Sequence, residues 1–129
     1  MSFGVDQAVF RPAISVIEGM ISEIDAGKDI PVVLSDVGSL AMKVRAIAEL
    51  HDTPELRFVS YLVWDHIYMT QKAYDGKKEE WYRTNADALK EYRTFFKEYL
   101  VSLKDAFKNQ NYNSVVEASK TYFYRLHLN

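Results

Sequence analysis

Three heptads in a row, LKEYRTF, FKEYLVS and LKDAFKN, occupy residues 89–109, and each opens with an apolar residue, a lysine and a carboxylate. A strict seven-residue period puts its apolar members on one side of a helix and on alternating sides of a strand, so this stretch is a helix before anything else about the chain is known. Leu89, Phe96 and Leu103 form one column, and Tyr92, Tyr99 and Ala106 form a second three residues on. Phe95, Leu100 and Phe107 widen the stripe beyond the narrow seam of a two-stranded zipper, while Lys90, Lys97 and Lys104 define an opposite solvated face. A helix with so broad an apolar side belongs inside a bundle.

The rest of the chain has the same period. Ile14, Ile17, Ile21 and Ile24 recur at spacings of three and four, predicting a helix from about Pro12 to Gly27. Val33, Val37, Leu40, Val44 and Ile47 predict a second helix, ending near His51, with Gly38 weakening its first half enough that it could begin as late as Asp36. Thr53-Pro54-Glu55 supplies an N-cap, a first-turn proline and an early carboxylate, so a third helix is expected from Pro54 to about Tyr74. Asp75-Gly76 ends it. The heptads then form a long fourth helix, kinked or split near Asn85, where Thr84 and Asp87 resemble a capping box. A second such box, Ser114 with Glu117, opens a last helix through about Leu126. No stretch alternates in the manner of a strand. The expected fold is all-α: a single-domain antiparallel bundle of about five helices spanning residues 1–129.

Composition narrows the functional classes. Residues 58–129 hold sixteen of the eighteen aromatic side chains, so large rings dominate the C-terminal half of the core. A net charge of −2 offers phosphate backbones no general attraction. The absence of cysteine excludes disulfides, thiol catalysis and cysteine-held metal. The longest apolar stretch, residues 58–69, is interrupted by Ser60, Asp65 and His66 and falls short of the roughly 20 residues that span a bilayer. The opening residues lack a basic region followed by an apolar run, and a cytoplasmic location without membrane contact is expected.

The third helix departs from the others. Ten of its fifteen residues between Leu56 and Thr70 are apolar or aromatic, and its polar residues project at scattered angles. A helix apolar on all sides is covered on all sides, either at the centre of the bundle or by a second copy of the chain. In the second case Tyr61, Trp64 and Tyr68 are the expected interface anchors, since aromatic residues concentrate at interface centres. The same burial would make Asp65 and His66 a buried polar site, although neighbouring helical residues diverge by about 100° and cannot readily serve one centre.

Catalytic and metal patterns are missing. No Glu-x-x-His, His-x-x-x-His, Gly-x-Ser-x-Gly or phosphate-loop motif occurs, and His51, His66 and His127 are scattered, so no cofactor is expected. Arg83, Lys90, Arg93, Lys97 and Lys104 could contact phosphates along the fourth helix, but Glu91, Glu98 and Asp105 lie beside them and offset much of their field. The leading expectation is a small non-enzymatic interaction or assembly protein whose partner is first of all itself, as a homodimer. The alternatives are a ligand-binding protein or enzyme built around Asp65 and His66, and an accessory subunit of a nucleoprotein complex that uses the basic side of the fourth helix.

Overall fold

The computed structural model describes the backbone of residues 6–74 and 84–128, and the side chains of residues 6–65, 84–122 and 124. Among them, a short 3-10 helix, Gln7–Phe10, leads into five α-helices: α1 (Arg11–Asp25), α2 (Ile30–His51), α3 (Pro54–Tyr74), α4 (Ala86–Lys108) and α5 (Tyr112–Leu128). The chain is all-α, as the periodicities require.

Local chemistry sets the boundaries. Gly27, at φ +78°, ends α1 with paired bonds from Gly27 N to Ile24 O and from Lys28 N to Glu23 O. This six-to-one closure needs a left-handed residue, which glycine adopts without strain. Gln110 takes that conformation after α4, at φ 47°, and Asn111 N reaches back to Ala106 O. The threonine cap of α3 forms as expected, with Leu56 N donating to Thr53 Oγ1 at 3.2 Å.

The second helix takes the earlier of the starts open to it, and two other expected starts are corrected. The second helix begins at Ile30, because Pro31 presets its first turn and the helix then continues through Gly38. Asn85, at φ −124° and ψ 80°, breaks the chain before the heptad helix, which starts at Ala86, so Thr84 does not cap it. The last helix is capped by Asn111 instead of Ser114: Ser114 N donates to Asn111 Oδ1 at 3.1 Å. Asparagine caps as well as serine does, and it comes first in the chain.

The helices share one core. Among the described residues, the main contacts join α1 to α2 and α4, α2 to α3, α3 to α5, and α5 to α4. Between α1 and α4 the contacts run in opposite order along the two helices: Phe10 stacks on Phe107 at 5.0 Å, whereas Asp25 meets Lys97. Both heptad columns face inward. Phe96, Leu103, Tyr92, Tyr99 and Ala106 are buried, as are the flanking Phe95, Leu100 and Phe107. No helix among the described residues is long and apolar enough to cross a membrane.

A carboxyl pair links α1 to α2. The approach of the Asp36 side chain, partial burial and the Asp36 charge together raise the Glu23 carboxyl above its ordinary range, while Lys28 pulls it down, and Glu23 Oε2 is buried without a hydrogen-bond partner among the described residues. The folded chain therefore holds this proton more tightly than the unfolded chain. The stability it contributes is present below the ordinary value of 4.5 and is lost as pH rises through the folded value. Glu23→Gln is accordingly expected to stabilise the protein at pH 7 by about 0.5 kcal/mol, the scale of like-charge helix pairs, and to have little effect near pH 4. Thermal melts at the two pH values check this, and equal shifts at both would show that the pair is not the cause.

Candidate functional site

The apolar surface of α3 is divided between two sides. Leu56, Val59 and Val63 are buried, at 0%, 0% and 1% exposure, and face the core. At 100° per residue the opposite side carries Phe58, Tyr61 and Trp64, which are 43%, 63% and 51% exposed. Of the two alternatives expected for α3, the one that places it at the centre of the bundle is thereby overturned for the described residues. Among the described residues its main neighbours are α2 and α5 alone, and two neighbours cover only one side of a helix.

Phe58, Tyr61 and Trp64 are spaced three residues apart, so their rings succeed one another along one strip of surface. Phe58 is steadied by Tyr112 at the start of α5, with ring centroids 6.1 Å apart. Arg57 and Asp65 lie on the same outward side. Arg57 is held loosely to Asp52 at 3.6 Å, with both side chains largely exposed. Asp65 is only half-buried, which corrects the fully buried polar site expected there. The side chains of His66 and Tyr68, and all of Arg83, lie outside the described residues.

Two residues expected to contact phosphates have structural roles. The Arg93 guanidinium donates from Nη1 to Lys28 O at 2.6 Å and from Nη2 to Ile24 O at 2.8 Å, so it closes the C-terminal end of α1. Lys97 Nζ bonds Asp25 Oδ1 at 2.6 Å. The Ile24 carbonyl lies in the last turn of α1, where helix carbonyls carry partial negative charge, and the planar arginine fork bridges it to the Lys28 carbonyl in the loop beyond. An open groove of about 600 Å³ runs along this junction, with Asp25 and Glu98 set against Lys90, Arg93 and Lys97. Its charge is nearly balanced, which suits a helix junction better than a phosphate track.

Tyr92, Phe95, Phe96 and Tyr99 of α4 pack with Tyr122 of α5 as core. Tyr122 stacks on Tyr99 at 4.4 Å and touches Phe95 and Phe96, and its hydroxyl lies 3.4 Å from that of Tyr92. Burial pushes the Tyr99 hydroxyl up to about 12, with Ser119 opposing the shift. Ser119 Oγ is itself buried and, among the described residues, short of hydrogen-bond geometry with any partner. The space beside these rings is a recess of about 110 Å³, too small for a drug-sized ligand. Among the described residues, no group of three or more histidine or acidic side chains converges on a point where a metal could sit.

Sequence reasoning selected Tyr61 and Trp64 as anchors but passed over Phe58. The signal was available, since Phe58 precedes Tyr61 by three residues and shares its face. No family model matches this chain, and neither a curated protein nor a solved structure matches it.

Proposed function

We propose that this protein is a non-enzymatic helical interaction module that associates with a second copy of itself through the outward side of α3. The observation that carries the reading is the exposure of Phe58, Tyr61 and Trp64 on one helical strip. Single exposed apolar residues are ordinary, and Val32, Met42 and Leu50 on α2 are such cases. Three large rings in succession are a different matter. Contiguous apolar surface on a soluble chain marks a contact site, and tryptophan and tyrosine are the side chains that most often carry interface energy.

The phosphate reading has less support, because Arg93 and Lys97 are already bound to α1. The Asp65 reading also loses its premise of deep burial.

Sedimentation equilibrium over a concentration series tests the proposal. The wild-type chain is expected to sediment as a dimer at tens of micromolar, and Trp64→Ala is expected to weaken the dimer by about thirtyfold, the scale of an interface anchor. Since Trp64 is 51% exposed, its removal should leave the helical circular dichroism unchanged. A wild-type monomer at 100 micromolar would remove this reading.

A further inference from the structure

We infer that the two copies meet in a two-fold antiparallel contact centred on Tyr61, with Arg57 of each copy facing Asp65 of the other. The inference rests on the self-association proposed above and adds its register. Its basis is a symmetry within the outward strip of α3. Arg57 and Asp65 lie four residues before and after Tyr61, and Phe58 and Trp64 lie three residues before and after it. Read outward from Tyr61, the strip has an aromatic ring and then a charge on both sides, and the two charges are opposite in sign.

A two-fold axis through a helix–helix contact imposes one rule. If the axis passes by position 61 and the helices run antiparallel, the residue n positions before Tyr61 in one copy faces the residue n positions after it in the other. Arg57 then faces Asp65 twice, once at each end of the contact, and Phe58 faces Trp64 twice. The four rings and the two central tyrosines form an apolar middle, and two ion pairs form the rim, which is the usual anatomy of a protein interface. In a parallel arrangement Arg57 would face Arg57 and Asp65 would face Asp65, and like charges placed together are strongly disfavoured.

The ridges agree with this pairing. Positions 57, 61 and 65 form one row at four-residue spacing, and rows of that kind interdigitate in the commonest class of helix packing. Arg57 is not committed elsewhere in a way that prevents the exchange. The Arg57 side chain is 63% exposed and its bond to Asp52 is long, at 3.6 Å. The paired length is short, about 12 Å from position 57 to 65 at 1.5 Å per residue, so the contact belongs to the small class and its affinity to the micromolar range.

Charge reversal tests the register. Arg57→Asp gives an acidic strip and Asp65→Arg a basic one, the first change at an exposed position and the second at a half-buried one. Sedimentation equilibrium is run on the wild type, on each variant alone and on their equimolar mixture, with circular dichroism confirming that each variant folds. Each variant alone should dimerise about tenfold more weakly than the wild type, because every dimer then has two like-charge contacts. The mixture should recover the wild-type affinity to within about threefold, since an acidic strip facing a basic one pairs every charge. Variants that dimerise as well as the wild type, while Trp64→Ala still dissociates it, would overturn the register and leave the proposed function standing. A wild-type dimer indifferent to Trp64→Ala would overturn the α3 contact and the register together. A wild type that stays monomeric overturns self-association itself.

Discussion

Tyr122→Ala is expected to cost about 3–5 kcal/mol, the range for deleting a fully buried aromatic ring. Tyr122 is 2% exposed and touches the rings of Phe95, Phe96 and Tyr99, so it joins α5 to three positions of α4 at once. Packed rings relax poorly around a void, and the loss combines transfer energy with contacts that no neighbour can restore. Against a typical total of about 5–15 kcal/mol, this would unfold a marginal domain or lower its melting temperature by roughly 10–20 °C. Tyr122→Phe separates the ring from the hydroxyl. It keeps the stack and gives up the 3.4 Å contact with Tyr92, for which about 1 kcal/mol is expected. Urea unfolding of the two variants checks the ordering. Equal losses would mean that the hydroxyl, and not the ring, holds the hairpin.

Arg93→Met should cost about 2 kcal/mol although Arg93 is only half-buried. The substitution keeps an apolar stem and removes both charge-assisted bonds, leaving the carbonyls of Ile24 and Lys28 without the fork that now closes α1. Ile24 is buried, and its carbonyl would keep the bond from Gly27 N but lose the charge-assisted one, which water replaces poorly. Arg93→Lys should recover only part of the loss, because an ammonium cannot span two carbonyls as a planar fork does. Lys97→Met serves as the comparison. Its bond to Asp25 joins side chains 41% and 53% exposed and is worth less than about 1 kcal/mol. Hydrogen exchange at the C-terminal turn of α1 should accelerate in the Arg93 variant. If Lys97→Met proves as damaging as Arg93→Met, the charge of Arg93 matters and its two bonds do not.

Arg93 also shows where sequence reasoning stops. In the heptads it stands among lysines and acids and reads as one more solvated cation, yet its acceptors are 65 and 69 residues away. Periodicity relates neighbours three and four apart and is silent about such distances. The first described turn has the same limit. Phe10 lies in a 3-10 helix too short to show a period, and its burial against Phe107 depends on α4, nearly a hundred residues later.

What the sequence determined by itself was the set of helices and their inward columns. Apolar spacing, Thr53-Pro54 and the heptads are local, and local physics is sufficient to produce them. What only the tertiary structure decided was the environment of α3. Its composition demands cover on nearly every side, but composition cannot say how many neighbours the fold supplies. Among the described residues α2 and α5 are the main ones, and the strip bearing Phe58, Tyr61 and Trp64 stays at the surface. The physical reason is that burial depends on how many helices pack around a given side, a long-range quantity that no window of the chain encodes.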